Sequence, residues 1–165
     1  MMKKFFKRLL LFLLVVFIFI QFFHPVKNKS ASPEPNNIAM KYHIPPRVQI
    51  ILENSCYDCH SNNTRYPWYN NIQPVAWWLN DHIKSAKEAL NFSEFSSYPI
   101  NEQYKRFDDL NDEVKKGDMP LPSYTWIHRS SILSDSERLL IANWVLSTRD
   151  SMKAIYPADS LIEKN

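Results

Sequence analysis

The chain has 165 residues, and its single glycine is Gly117. All-β folds need many turn positions with positive φ, which glycine adopts most easily, so the composition indicates an all-α protein. Four of the twenty Lys and Arg residues lie in the first eight positions, which leaves sixteen against seventeen Asp and Glu in the rest. This balance argues against nucleic acid as a partner.

The N-terminal segment combines a cationic start with an unbroken apolar run. Its charges are those of Lys3, Lys4, Lys7 and Arg8. Residues 9–20 are all apolar, and Phe22 and Phe23 extend the run to about 22 Å, short of an apolar layer of about 30 Å. Including Phe5 and Phe6, with the charged ends of Lys7 and Arg8 reaching to the surface, gives a segment of near-spanning length. No small-residue cleavage site follows, which favours a membrane anchor over residues 1–25, either a transmembrane or a signal-anchor helix, above a removed signal peptide.

Both interpretations of this segment export the rest of the chain. They predict an inner-membrane protein with one N-terminal span and its C-terminal domain in the periplasm, or a periplasmic protein if the segment is cleaved. The polar, Pro- and Ser-rich residues 26–41 are typical of a flexible tether. A domain over residues 42–148 and a loosely packed tail over residues 149–165 complete the predicted organisation.

Four helices are predicted within the domain, each from an N-terminal signal followed by an apolar stripe. Their first signals are Pro45, Pro74, Asn101 and Ser134. The first helix should end at Cys56, and Gly117 should end the third. Ser134 and Glu137 have the spacing of a capping box at the start of the fourth helix.

The two cysteines of the chain, Cys56 and Cys59, lie in Cys-Tyr-Asp-Cys-His, where His60 follows directly. A redox dithiol is typical of a helix start next to a strand, and no strand pattern surrounds this motif. A structural zinc site needs four clustered ligands, and the other histidines are scattered. A disulfide between the two cysteines would restrain little of the chain. Covalent attachment of haem c has this motif as its signature and is the favoured interpretation.

The order of the motif follows from the shape of haem. Two thioethers from Cys56 and Cys59 anchor one edge of the porphyrin, and the adjacent His60 then reaches the iron as an axial ligand. Nothing else in the motif needs to be fixed for this purpose, so Tyr57 and Asp58 are expected to be free to vary.

Met119 is the leading candidate for a second axial ligand. It lies in Gly-Asp-Met-Pro, a loop stiffened by Pro120, and a thioether is a soft ligand that raises the reduction potential of haem iron. Three alternatives remain open: Met119 fills a gap in the core, His82 is the ligand, or His128 is the ligand.

Aromatic residues cluster after the motif. They include Tyr66, Trp68, Tyr69, Trp77 and Trp78. Such a cluster can bind a carbohydrate or a quinone, but large flat side chains also suit the wall of a porphyrin site, which is the favoured interpretation. The predicted pocket residues are Tyr66, Pro67, Trp68, Trp78, His82 and Pro120.

Several spaced stretches together resemble a known family. "NSCYDCHSNNTRYPWYNNIQPVAWWLNDHI", "NFSEF" and "GDMPLPSYTWIHRSSILSDSERLLIANW" resemble the haem-binding domain family of small cytochrome c-like proteins. The resemblance extends over about residues 20–148. It implies an all-α, cytochrome c-like domain in which Cys56 and Cys59 carry the thioethers, His60 is the proximal ligand and Met119 the distal ligand.

The leading functional hypothesis is a monomeric one-electron carrier with one covalent haem c, working with unidentified redox partner proteins at a membrane. No catalytic set of residues is recognised, so an enzyme is not expected. Two alternatives remain: a five-coordinate haem sensor or small haem enzyme that binds a gas or a peroxide, and a haem-carrying module of an envelope complex.

Overall fold

A computed structural model of the chain describes residues 2–162. Within that range the protein forms eight α-helices and no strand, which confirms the predicted all-α class. The α-helices are α1 (Met2–Ile20), α2 (Ile38–Lys41), α3 (Pro46–Ser55), α4 (Tyr57–His60), α5 (Val75–Ala89), α6 (Ile100–Lys116), α7 (Pro122–Thr125) and α8 (Asp135–Ile155). Short 3-10 segments lie at Trp68–Asn71, Phe92–Ser97, Arg129–Ser131 and Ala158–Ser160.

Helix α1 corrects the prediction of a transmembrane span. Among residues 2–162, no helix combines the length and the apolar character that crossing a membrane requires. The prediction of an inner-membrane protein with a single N-terminal span is therefore wrong. Four cationic residues occupy the first two turns of α1, so its uninterrupted apolar part is residues 9–20. At about 1.5 Å per residue this part is about 18 Å long, against about 30 Å for the apolar layer.

Residues that follow α1 contact the folded domain. Gln73 is fully buried, and its side-chain amide donates a hydrogen bond of 2.6 Å to the carbonyl oxygen of Phe23. The Asn28 side chain donates to the carbonyl oxygen of Ser61 at 2.8 Å. Ile38, in α2, has no exposed surface. The segment predicted as a flexible tether thus contributes both hydrogen bonds and a core residue.

The core lies where α3, α6 and α8 pack together. Phe107 of α6 is at its centre, with ring centroids 4.9 Å from Phe95, 5.1 Å from Tyr42 and 5.6 Å from Trp144. Helix α8 continues past residue 148, and Met152 on its last turns is buried in the same cluster. Part of the predicted C-terminal tail is therefore core, while the predicted domain boundaries themselves stay predictions.

The helix signals in the sequence correspond to α3, α5, α6 and α8. Ser134 accepts a hydrogen bond from the Glu137 N–H, and the Glu137 carboxylate accepts one from the Ser134 N–H, which confirms the capping box. Gly117 ends α6 with φ +83°, a conformation that glycine adopts without strain. Helix α6 begins two residues earlier than predicted, with Pro99 instead of Asn101 as its N-cap.

Candidate haem site

A cavity of about 370 Å³ lies between the cysteine motif and α6. This volume falls within the range of about 300–1,000 Å³ that is usual for small-molecule and cofactor sites. The predicted site residues on its wall are Cys56, His60, Met119 and Pro120. A larger groove of about 870 Å³ beside α8 contains none of the predicted site residues. The smaller cavity is therefore the candidate site.

The cysteine motif folds as a single helical turn directly after α3. The Cys56 N–H donates to the Leu52 carbonyl oxygen at 2.9 Å, which ends α3, and the His60 N–H donates to the Cys56 carbonyl oxygen at 3.0 Å. Residues four apart share one face of a helix, so Cys56 and His60 both face the cavity. Cys59 lies on α4 outside the cavity wall.

Both thiols have raised pKa values. Burial, with a further contribution from Cys59, raises the pKa of Cys56 to about 12. Burial and the charge of Asp58 raise the pKa of Cys59 to about 11. Reactive redox thiols need a lowered pKa because the thiolate is the nucleophile. These two cysteines are protonated at neutral pH, which argues against a redox dithiol.

His60 is held in an orientation that suits metal coordination. Its Nδ1 lies 2.9 Å from the Leu90 carbonyl oxygen. A carbonyl oxygen only accepts, so Nδ1 carries the proton and the lone pair of Nε2 is left available. Burial lowers the pKa of His60, which keeps the imidazole neutral. Metal-binding histidines are commonly oriented by such a hydrogen bond to the second ring nitrogen.

The loop after α6 places Met119 on the wall of the same cavity. The Glu113 carbonyl oxygen accepts hydrogen bonds from three successive N–H groups: Gly117 at 3.2 Å, Asp118 at 3.1 Å and Met119 at 3.3 Å. The positive φ of Gly117 makes this tight reversal possible. The backbone of Met119 is thus fixed to the end of α6.

The other predicted pocket residues lie outside this cavity. The His82 ring lies 4.2 Å from that of Trp78, and its Nδ1 lies 2.9 Å from the Trp78 carbonyl oxygen. His128 stacks on Tyr124 at 4.3 Å. The remaining positions, which also do not line the cavity, are Tyr66, Pro67 and Trp68.

Aliphatic and phenyl side chains form the apolar wall instead of the tryptophans. They are Leu90, Phe92, Leu110, Val114 and Leu133. Trp68, which was predicted as a pocket residue, lies in a 3-10 segment, is 76% exposed and does not line this cavity. Leu90 and Phe92 lie directly after the end of α5. Nothing in the sequence of this segment indicated that it would line a porphyrin site.

Charged residues of α6 also line the cavity, and the sequence analysis did not identify them. They are Arg106, Asp109 and Glu113. Their spacing of three and four residues puts them on the same helix face as Leu110 and Val114. This spacing is the signal that was available, but polar residues beside an apolar stripe are usual on any amphipathic helix.

Asp58, between the two cysteines, connects the motif to its surroundings. Its Oδ1 accepts from Arg65 Nε at 2.9 Å, and its Oδ2 accepts from the Tyr124 hydroxyl at 2.9 Å. The Asp58 side chain is only 13% exposed. Burial and the charge of Asp58 raise the pKa of Tyr124, so this hydroxyl stays a donor. The Tyr57 hydroxyl also donates to Gln49, so both residues between the cysteines make side-chain contacts that the attachment chemistry does not itself require.

Removal of the Tyr124 hydroxyl should destabilise the protein. Tyr124→Phe leaves Oδ2 of the nearly buried Asp58 carboxylate without its donor, and hydrogen bonds to charged groups contribute about 1.5–3 kcal/mol. We expect the free energy of unfolding to fall by about 1–2 kcal/mol, measured by urea denaturation with far-ultraviolet circular dichroism. Tyr69→Phe is the control, because no hydrogen bond of the Tyr69 hydroxyl is seen within residues 2–162. Equal losses of stability in both variants would contradict a stabilising hydrogen bond between Tyr124 and Asp58.

Comparison with known proteins now adds the family. A family model described as "Haem-binding domain" matches residues 15–147, which is more than half of the chain and includes the whole cavity wall. No curated protein and no solved structure shows a significant match. The match confirms the resemblance seen in the sequence, and it supports haem as the cofactor. The chain belongs to the haem-binding domain family.

Proposed function

We propose that the protein is a monohaem c-type cytochrome that carries one electron at a time. Cys56 and Cys59 form the thioethers, His60 and Met119 are the axial ligands, and residues 42–148 form a cytochrome c-like domain. The observation that carries this proposal is that Cys56, His60 and Met119 line one cavity. Cys56 and His60 are four residues apart in the sequence, whereas Met119 is distant from both.

The residues around the cavity have the chemistry that haem requires. A thiol, a neutral imidazole with an available Nε2 and a thioether face a mainly apolar space. Cys59 is adjacent to His60 in α4 and supplies the second thioether, although it lies outside the cavity wall. Protonated, buried thiols are consistent with a role as attachment points that need a separate activating machinery.

Haem iron supplies a reversible one-electron couple when it is bound. The chain's part is to hold the ligand atoms in place and to keep water away from them. The Leu90 carbonyl oxygen fixes the His60 ring, and the Glu113 carbonyl oxygen fixes the backbone of Met119. Because His60 and Met119 would fill both axial positions, no position is left for a substrate, and we propose a carrier rather than an enzyme.

The test is the spectrum of the haem-loaded protein, produced together with haem-attachment machinery. Met119→Ala should abolish the charge-transfer band of the oxidised form and lower the reduction potential, because a thioether ligand raises it. Met40→Ala is the matched control, since Met40 is 73% exposed in α2, and it should leave both unchanged.

Carbon monoxide distinguishes the carrier from a five-coordinate sensor. Ferrous wild-type protein should bind carbon monoxide slowly, and Met119→Ala should bind it rapidly. Rapid binding by the wild type, together with a spectrum that Met119→Ala does not change, would show that the second axial position is open and would overturn the His60/Met119 assignment.

A further inference from the structure

Arg106 is a largely buried cation on the wall of the candidate haem site. It lies on α6, its side chain is 20% exposed, and it lines the same cavity as Cys56 and His60. Its guanidinium carbon is 4.1 Å from the centroid of the Tyr98 ring. Its Nη2 lies 3.2 Å from Oε2 of Glu102. These two contacts hold the guanidinium in place beside the cavity.

The guanidinium retains unused hydrogen-bonding capacity. Its Nε is buried and has no hydrogen-bond partner within the described part of the chain. Buried N–H groups normally find an acceptor, above all when the group is charged. Arginine presents pairs of parallel N–H groups that match the two oxygens of a carboxylate, and one Nη contact to Glu102 leaves such a pair incomplete.

Charge around the cavity restricts where an anionic group can lie. Asp109 and Glu113 share the wall, and Arg106 is the one Lys or Arg among the described lining residues. The remaining wall is mainly apolar, which disfavours a charged group there. A carboxylate that enters this cavity therefore has its favourable position at Arg106.

We propose that Arg106 binds a carboxylate of the haem, one of its two propionate groups. Haem carries these groups on the side of the ring away from the vinyl groups, which are the ones that react with cysteines. The inference rests on the haem site proposed above, and it assigns a specific residue to a part of the cofactor that neither the motif nor the axial ligands contact.

A pair of porphyrins without metal tests the carboxylate contact independently of the iron ligands. The full chain, produced without haem-attachment machinery, is titrated with protoporphyrin IX and with its dimethyl ester, and quenching of tryptophan fluorescence measures binding. We expect the free acid to bind the wild type about tenfold tighter than the ester, since hydrogen bonds between charged groups are of this strength. In Arg106→Gln this ratio should fall to about one.

Arg149→Gln is the matched control. Arg149 is also largely buried, stacks on the ring of Tyr104, pairs with Asp108 and has an Nε without a partner in the described structure. It does not line the cavity, so its replacement should leave the preference for the free acid intact. Loss of the preference in both variants would show a general structural effect and overturn the proposal.

Two further results complete the test. Arg106→Lys keeps the positive charge without the planar pair of donors, so it should retain part of the preference for the free acid over the ester. This variant keeps the proposal testable if Arg106→Gln does not fold. A ratio of about one in the wild type overturns the proposal. The proposed function fails by a different result, namely no covalent haem or no effect of Met119→Ala, and these outcomes leave the porphyrin ratio unaffected.

Discussion

The double variant Cys56→Ala plus Cys59→Ala is expected to lose all covalently attached haem. Each thioether needs a cysteine sulfur, and the sequence holds two cysteines in total. The measurement is haem-dependent peroxidase staining after denaturing gel electrophoresis, with the mass of the intact chain as a second readout. Wild-type protein should stain and carry the added mass, while the double variant should show neither.

Single variants and a distant histidine serve as controls for this loss. Cys56→Ala or Cys59→Ala alone leaves one sulfur and should keep a reduced amount of covalent haem. His128→Ala changes a histidine that stacks on Tyr124 outside the cavity wall, and it should keep full staining. Covalent haem in the double variant would remove the basis of the c-type assignment.

Phe107→Ala should cause the largest loss of stability among substitutions in the core. Phe107 has no exposed surface, and its ring contacts Phe95, Tyr42 and Trp144. Removal of a buried phenyl ring loses its transfer free energy and leaves a cavity, at a cost of about 3–5 kcal/mol. Because whole domains are stable by only about 5–15 kcal/mol, a large part of the chain should be unfolded already at low urea concentrations.

An exposed leucine on the neighbouring helix provides the comparison. Leu139 of α8 is largely exposed, so Leu139→Ala should change the free energy of unfolding by no more than about 0.5 kcal/mol. Urea denaturation of both variants under identical conditions gives the difference. A cost below about 1 kcal/mol for Phe107→Ala would show that the phenyl ring is not at the centre of the core.

Local signals were sufficient to predict the long helices. Prolines at helix starts, the capping box of Ser134 and Glu137 and the stop at Gly117 act within one turn of the chain, so a sequence contains all that they need. The short helices were not predicted, although Asn37 caps α2 and Pro122 opens α7. Four residues form too few hydrogen bonds to be stable without tertiary contacts, so a local start signal is not sufficient there. The prediction for α1 was wrong because apolar composition outweighed the four charges in its first turns.

The candidate site divides in the same way. The cysteine motif and the Gly-Asp-Met-Pro loop are each a continuous stretch of sequence, so both could be recognised locally. The structure brings Cys56, His60 and Met119 to one cavity, and their roles in holding haem stay predictions. The cavity wall is assembled from four separate segments, so no local pattern identifies Leu90 or Leu133. Arg106 could not be predicted as a site residue for a further reason. It is distinguished by a buried Nε without a partner among the described residues, and burial is a property of the folded chain.

The contacts of Asp58 have an evolutionary consequence. Its carboxylate joins Arg65 and Tyr124, which are distant from each other in the sequence, to a position that the attachment chemistry itself leaves open. Loss of the acid in a lineage would remove the acceptor of the Tyr124 hydroxyl and of Arg65 Nε, although Arg65 keeps its contact with the Glu53 carbonyl oxygen. We therefore expect Asp58 and Tyr124 to change together rather than one at a time. The residue at position 58 is therefore adapted to this particular fold. Exchange of a Cys-x-x-Cys-His segment between unrelated cytochromes would transfer the haem-attachment residues without the hydrogen bonds that hold the segment in place.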